Sequence, residues 1–284
     1  MYPSDHNLAT QVIGHQRFLF ISLPLSRVDA ELTKAIDALG DGMENMQEVA
    51  GNPSEEAQHR GRFQFLRAEH AMSQEHEIPH PTLSKAHGLI RLEASSVEPF
   101  LHYEAQLRML VEHRGGSVET LAGVQRPRSY TSYSMTQYAY TPAVPPQPGS
   151  RFPLGVVTPL NKSKEWWSMD WMHRESFFLP RYDGQEKLVA KGHALAAAAG
   201  IPSISRRLVH APNGYGQEGV YDFIGYFEFS EEQTSVFRDV MTALRDVKQN
   251  PEWAYVREGP EWWGRRVGSS AALWRRAEKV YNAR

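Results

Sequence analysis

Apolar positions recur in two patterns along the chain, one of strand length and one at helical spacing. The run Arg17-Phe18-Leu19-Phe20-Ile21-Ser22 is strand-like and ends near Pro24, and Leu32, Ile36 and Leu39 then mark a helix predicted over Ala30–Met46. Phe63 and Phe65 alternate within an Arg62–Leu66 strand, and a second strand is predicted over His87–Ala94. A helix over Glu98–Glu112 and a strand over Val118–Val124 complete the order βαββαβ. The stretch Thr141–Pro153 carries five of the eighteen prolines and reads as a linker dividing the chain.

Beyond the linker the order returns. A strand is predicted near Leu154–Thr158, helices over Lys164–Phe178 and Gln185–Ala199, strands over Ser203–His210 and Val220–Phe229, then a helix and a strand around Trp253–Arg257. The last helix of this half has the strongest pattern. Ser230-Glu231-Glu232-Gln233 reads as a capping box, and Val236, Phe237, Val240, Met241, Leu244 and Val247 follow as one stripe. Glu93 before one helix matches Glu228 before the other, and Phe100 matches Phe237, so the chain reads as an internal repeat of two α+β units. Two antiparallel sheets with helices on one face each can pack sheet against sheet, and such an interior could hold a large flat ligand.

Composition narrows the function classes. With 41% hydrophobic and 23% charged residues among 284, the chain is globular, and 31 Lys plus Arg against 33 Asp plus Glu gives no basic field for nucleic acid. The absence of cysteine removes disulfides, thiolate nucleophiles and iron–sulfur clusters. No stretch approaches the ~20 apolar residues of a membrane span and no leader pattern opens the chain, so a cytoplasmic protein without a membrane partner is expected.

Two motifs match familiar patterns without their context. His76-Glu77-Ile78-Pro79-His80 spells H-E-x-x-H, but its Pro79 and the following Pro81 oppose the helix that would bring both imidazoles to one face, and the segment reads as part of a solvated insertion at residues 69–81. Gly214-Tyr215-Gly216-Gln217-Glu218-Gly219 spells G-x-G-x-x-G, but a strand follows where a nucleotide fingerprint needs a helix, so it reads as a hairpin loop.

A stronger constellation lies between them. His193 precedes an alanine run, Ala194 to Ala199 broken only by Leu195, so an imidazole projects where neighbours have little volume. This is either space beside a histidine ligand or a helix packed closely on a sheet. Alternation puts Arg206 on one side of a strand with Ile204 and Leu208, an apolar face on which a guanidinium requires an anionic partner or ligand.

Five segments in order carry a family resemblance: Asn161 to Trp167, His193, Arg206 to His210, Asp222 to Glu228, and Leu244 to Asn250. Together with Leu121 to Tyr130 they resemble the chlorite dismutase family, from about Leu121 to Gly264 and weakly before. The resemblance implies two ferredoxin-like βαββαβ halves in a dimeric α+β barrel-type fold, an N-terminal half over residues 1–140, a linker over 141–153 and a haem-binding half over 154–284. It implies haem b as cofactor, with His193 as the iron ligand and Arg206 as the distal catalytic arginine. It further implies contacts to the haem propionates and edge from Ser129, Tyr130, Thr131, Lys162 and Trp166, although one of Trp166 and Trp167 reads equally as a core anchor. Gln249 stands where chlorite-splitting members carry a glutamate that accepts a hydrogen bond from the proximal histidine, and an amide there implies a less electron-rich iron.

The implied activity is conversion of chlorite to chloride and dioxygen, with Arg206 retaining the hypochlorite leaving group, and the implied partners are a small anionic or oxidant substrate and copies of the same chain, as a pentamer or other homo-oligomer. A haem peroxidase, an enzyme acting on an organic nitrogen or oxygen substrate, and a non-catalytic haem-binding or sensing protein stand as alternatives. A haem decarboxylase is disfavoured by the presence of Arg206.

Overall fold

The computed structural model describes residues 14–126 and 144–275. Ser129, Tyr130 and Thr131 lie outside these residues. Eight principal strands occur in two sets of four: β1 (His15–Ser22), β2 (Arg62–Ala68), β3 (Gly88–Ala94) and β4 (Ser117–Val124), then β5 (Leu154–Lys162), β6 (Ser205–His210), β7 (Phe223–Phe229) and β8 (Trp262–Val267). Neighbours in each set are antiparallel, in the order β4-β1-β3-β2 and again β8-β5-β7-β6. The duplicated βαββαβ order of a ferredoxin-like α+β fold is therefore present in space as well as in sequence.

The two sheets join edge to edge. β2 pairs with β8 from Ala68↔Gly264 to Phe65↔Val267, and β4 meets β6 at Val124↔His210, closing the strands into one barrel. Closure covers edges that would otherwise expose rows of unpaired backbone groups. It also corrects the expectation of a ligand held between facing sheets. Strand alternation turns Phe18, Phe20, Leu66, Leu89, Leu121, Val157, Val209, Ile224, Tyr226 and Trp262 inward, where they pack into a single cluster that fills the barrel. Phe20 meets Trp262 edge to face, with ring centroids 5.5 Å apart.

The outward faces carry the helices. Helix α1 (Ala30–Ala38) and α2 (Glu98–Glu112) cover the first sheet through Leu32, Ile36, Phe100, Tyr103, Leu107 and Val111. Over the second sheet lie α3 (Lys164–Ser168), α4 (Trp171–Ser176), α5 (Gly192–Ala197) and α6 (Thr234–Arg245). Phe237, Val240, Met241 and Leu244 of α6 pack on this sheet, as their stripe predicts, and Phe100 and Phe237 occupy matching helices. No helix among the described residues is long and apolar enough to cross a membrane.

Several boundaries differ from the pattern for local reasons. α1 ends at Ala38, before Gly40 and Gly42, so it does not reach Met46. Lys164–Phe178 is two helices, because Met169 is extended and Asp170 caps a second start by accepting from the His173 N–H. Gln185–Ala199 is not one helix: Leu188–Ala190 pairs with Arg181–Tyr182 as a small hairpin before α5 begins. The Ser230 segment opens α6 through a 3₁₀ turn, Glu231–Gln233, rather than a capping box on the α-helix itself. Trp253 lies in a 3₁₀ turn followed by a short strand, Val256–Glu258, and the last barrel strand is β8 further on.

The proline-rich stretch packs across one end of the barrel. Gly149 N–H donates to the Gln47 carbonyl, Gly51 N–H to the Pro146 carbonyl, and Arg266 reaches the carbonyls of Met46, Gln147 and Phe152. The histidine-rich segment is likewise docked rather than solvated. No helix forms over His76–His80; His76 Nε2 lies 3.0 Å from Arg245 Nη2, and Gln74 bridges to Glu261. Trp262, fully buried inside the barrel, sets the expected cost of disturbing closure: Trp262→Ala is predicted to lower unfolding free energy by about 3–5 kcal/mol in denaturant titrations.

Candidate functional site

The second sheet and its helices part around a cleft with a cavity of about 170 Å³. One wall is the outer face of β5, β6 and β7, with Thr158, Leu160, Arg206, Leu208, Phe223, Gly225 and Phe227. The opposite wall is α5, α6 and their flanks, where Ala197, Gly200, Ile201, Val240 and Met241 contribute mostly small or apolar side chains. A Cβ on Gly225 would collide with the Thr158 hydroxyl and press on the Phe227 ring, so glycine keeps that part of the sheet wall flat. The result is a slot suited to a planar apolar ligand.

His193 enters from the helical wall and Arg206 from the sheet wall. The alternation that places Arg206 with Ile204 and Leu208 is realised, since all three line the cavity. His193 is positioned by the turn before it. Gly192 adopts φ +62°, its N–H donates to the Gln249 carbonyl at 2.9 Å, and a side chain there would run into the Leu179 carbonyl. The next two N–H groups, of His193 and Ala194, donate to the carbonyls of Phe177 and Phe178.

The imidazole is oriented by a carboxylate that sequence reading assigned to the wrong residue. Glu252, not Gln249, meets it: Nδ1 of His193 lies 2.8 Å from Glu252 Oε2, while Glu252 Oε1 accepts from Lys162 Nζ at 2.5 Å. Gln249 contributes its backbone carbonyl to Gly192 instead. The offset is one 3₁₀ turn, Pro251–Tyr255, which carries Glu252 back toward α5 after α6 has ended. A glutamate in a 3₁₀ turn has no periodic signature, although its position just after the Asn250-Pro251 break was a usable cue.

Burial alone would raise the Glu252 carboxyl, but Lys162 and then His193 outweigh it and hold the group well below the usual carboxylate range. The ionised carboxylate can only accept, so His193 donates from Nδ1, and in the neutral ring the lone pair is then on Nε2. This is the tautomer and orientation of a histidine prepared to bind a metal centre. Among the described residues no group of three or more histidines and carboxylates converges to hold an ion on its own.

Lys162 lines the cavity beside this pair, whereas Trp166 lies behind it. The ammonium given to a ligand carboxylate in sequence reading has a protein carboxylate, Glu252, as its partner, and it lies 4.2 Å over the Trp166 ring. Trp166 is fully buried among Phe177, Phe178 and Tyr255 and is absent from the cavity wall, so it is the core anchor of the tryptophan pair. Trp167 instead stacks on Tyr215 at 4.4 Å and donates to Asp222 Oδ2, which also accepts from the Lys162 N–H. Asp222 Oδ1 takes the Gly216 N–H, so the glycine-rich segment is a β6–β7 hairpin loop folded back on the site.

Replacing Glu252 tests this arrangement. Glu252→Gln strands a Lys162 side chain that is only 6% exposed and is expected to cost about 3–5 kcal/mol at neutral pH. The folded-state pKa of Glu252 is depressed, so its contribution is full above the unfolded value near 4.5 and is lost as pH falls below it. Stability measured from about pH 6 down to 3 is therefore expected to fall less steeply in the variant than in the wild type.

No protein-family profile matches the chain, and no curated protein matches it in sequence. Solved structures do. A mutant chlorite dismutase from Candidatus Nitrospira defluvii superposes with a TM-score of 0.63 at 17% identity, over 93% of this chain and 96% of that one. A second mutant of the same protein gives 0.62 at 17% identity, over 95% and 98%. The chlorite dismutase of that organism in complex with imidazole gives 0.59 at 20% identity, over 93% and 94%. Matches over nearly the whole of both chains extend the resemblance to the N-terminal half, where sequence reading was weakest, and the chain has the fold of the chlorite dismutases.

Proposed function

We propose that the chain is a haem b oxidoreductase of the chlorite dismutase family, acting on chlorite or a closely related small oxidant. The observation that carries this reading is the imidazole of His193, fixed by ionised Glu252 at one wall of a flat apolar slot whose other wall presents Arg206. The donor set fits haem: a neutral imidazole supplies one axial nitrogen, and a wall levelled at Gly225 admits a planar ring. Bound haem would supply the redox chemistry that cleaves an O–Cl or O–O bond.

The protein residues then divide the remaining tasks. Glu252 accepts a hydrogen bond from the Nδ1–H of His193 and, being ionised, increases the electron donation of the ring. The weaker donation inferred from an amide at Gln249 does not apply, because the amide is not the partner. Lys162 holds the second oxygen of Glu252, which keeps the carboxylate from turning away and fixes its charge. Arg206 offers a planar fork of N–H donors to an anion in the slot, so a negatively charged leaving species could be retained there. Ser129, Tyr130 and Thr131 are proposed as polar contacts to haem on the resemblance alone, and Gln249 as a residue of the backbone frame around His193.

Self-association is part of the proposal. Trp171, Met172, Leu179, Tyr182 and Val189, each about half exposed or more, fall within one short stretch before α5, which is unusual for a surface left to solvent. A cytoplasmic location is carried forward from the sequence only.

The absorption spectrum of the purified protein and dioxygen release on adding chlorite test the reading. A Soret band is expected in the wild type, lost or shifted in His193→Ala and unchanged in His210→Ala, whose ring nitrogen is already paired with the Tyr215 hydroxyl at 3.0 Å. Arg206→Ala is expected to keep haem and lose turnover by about 10²–10³-fold, the range for removing one donor to a developing anion. Haem retained in His193→Ala but lost in His210→Ala would refute the assignment.

A further inference from the structure

One end of the barrel interior is polar and charged, and its ion pairs do not balance. Arg62 is paired with Glu44 and Glu93, Arg91 with Glu93, and Arg266 with Glu228 at 3.4 Å. Arg91 also lies 4.4 Å over the Tyr226 ring, and the Tyr226 hydroxyl donates to Glu228. Three guanidinium groups thus engage three carboxylates. Arg207 is the fourth guanidinium at this end, since alternation along β6 turns it inward with Val209 while Arg206 turns out.

Among the described residues no carboxylate lies within ion-pair distance of Arg207. Its side chain makes only a long 3.4 Å hydrogen bond to Asn52 Oδ1 and a 3.1 Å bond to the carbonyl of Arg206. Residues 127–143 contain no Asp or Glu, and the acidic side chains outside the described residues are Asp5 and Glu278. Burial disfavours the charge; Glu93 and Glu228 offset this from a distance, and Arg91 and Arg62 oppose them. An arginine does not shed its proton in a protein, so the excess charge calls for a counter-ion or for water.

Geometry points to where an ion would sit. Arg207 lines the same cavity as Arg206 and His193, as does Asn52, whose side-chain oxygen it reaches. A side-chain amide therefore stands beside a planar cationic fork, a set that suits the several acceptor oxygens of a small oxyanion. We propose that Arg207, with Asn52 beside it, binds a small inorganic oxyanion at this polar end of the cavity, as a position separate from Arg206. The site needs no haem. If the haem reading also holds, an anionic substrate or product has a second resting place on its way past Arg206.

Nitrate, titrated into the purified protein at constant ionic strength maintained with sodium gluconate, is the probe, and melting temperature and the visible spectrum are the readouts. The wild type is expected to gain stability saturably, as an ion bound only to the folded state requires. Arg207→Gln is expected to weaken that response by about tenfold or more, Arg207→Lys to keep part of it, and Arg206→Gln to keep it whole. Without nitrate, Arg207→Gln is expected to melt no lower than the wild type, because it removes an uncompensated charge rather than half of a pair. An undiminished response in Arg207→Gln, its loss in Arg206→Gln instead, a response that follows a Soret shift, or no saturable response in the wild type would each overturn the proposal. A missing Soret band would refute the haem reading and leave this one standing.

Discussion

Closure of the barrel is the constraint from which the rest of the architecture follows. Four strands from each half meet at two seams, one four residue pairs long and the other anchored at a single pair, Val124↔His210. A closed barrel of this size has an interior that side chains can fill, and Phe18, Phe20, Tyr226 and Trp262 fill it. A large ligand is thereby displaced to the outer face, between strands and helices. Each half presents such a face, so the fold offers two equivalent positions for a pocket.

At the pocket that forms, one carboxylate ties three elements together. Glu252 stands on a 3₁₀ turn after α6 and bonds at once to Lys162 at the end of β5 and to His193 at the start of α5. Lys162 in turn donates its N–H to Asp222, which takes the Trp167 indole and the Gly216 N–H. The orientation of the imidazole is therefore coupled through buried hydrogen bonds to the β6–β7 loop, where partly satisfied members would be costly. Such a network favours one arrangement of the histidine over many, which is the condition for a defined tautomer.

The repeat, most of its strands and the helix over Glu98–Glu112 were legible because they alternate or repeat with a clean period. His193 and Arg206 were legible as oddities, an imidazole beside alanines and a charge on an apolar face. Glu252 was not, since a glutamate among 33 acidic residues acquires meaning only when a turn brings it to a histidine 59 positions away. The same holds for β8, whose Trp262-Trp263-Gly264 start shows no polar alternation because one face looks into the barrel and the other onto α6. The small hairpin at Arg181–Ala190 was missed because pairing over so few residues leaves little period to detect. Tertiary contact, rather than local preference, decides each of these.

The two halves fill the space between sheet and helices differently among the described residues. In the first half the space between sheet and helices is packed solid by Leu32, Ile36, Phe65, Ile90, Leu92, Phe100, Tyr103 and Leu107. In the second half α5 and the turn after it contribute Ala196, Ala197 and Gly200, and Phe178, Phe237, Val240 and Met241 line the cavity beside them. Alanine and glycine in such a layer leave volume that neighbours do not refill when a barrel holds the strands apart. The cavity therefore opens where one layer of the duplicated fold is built from small residues while its twin is a packed core, and Asn52 and Gln125 of the first half also reach its lining.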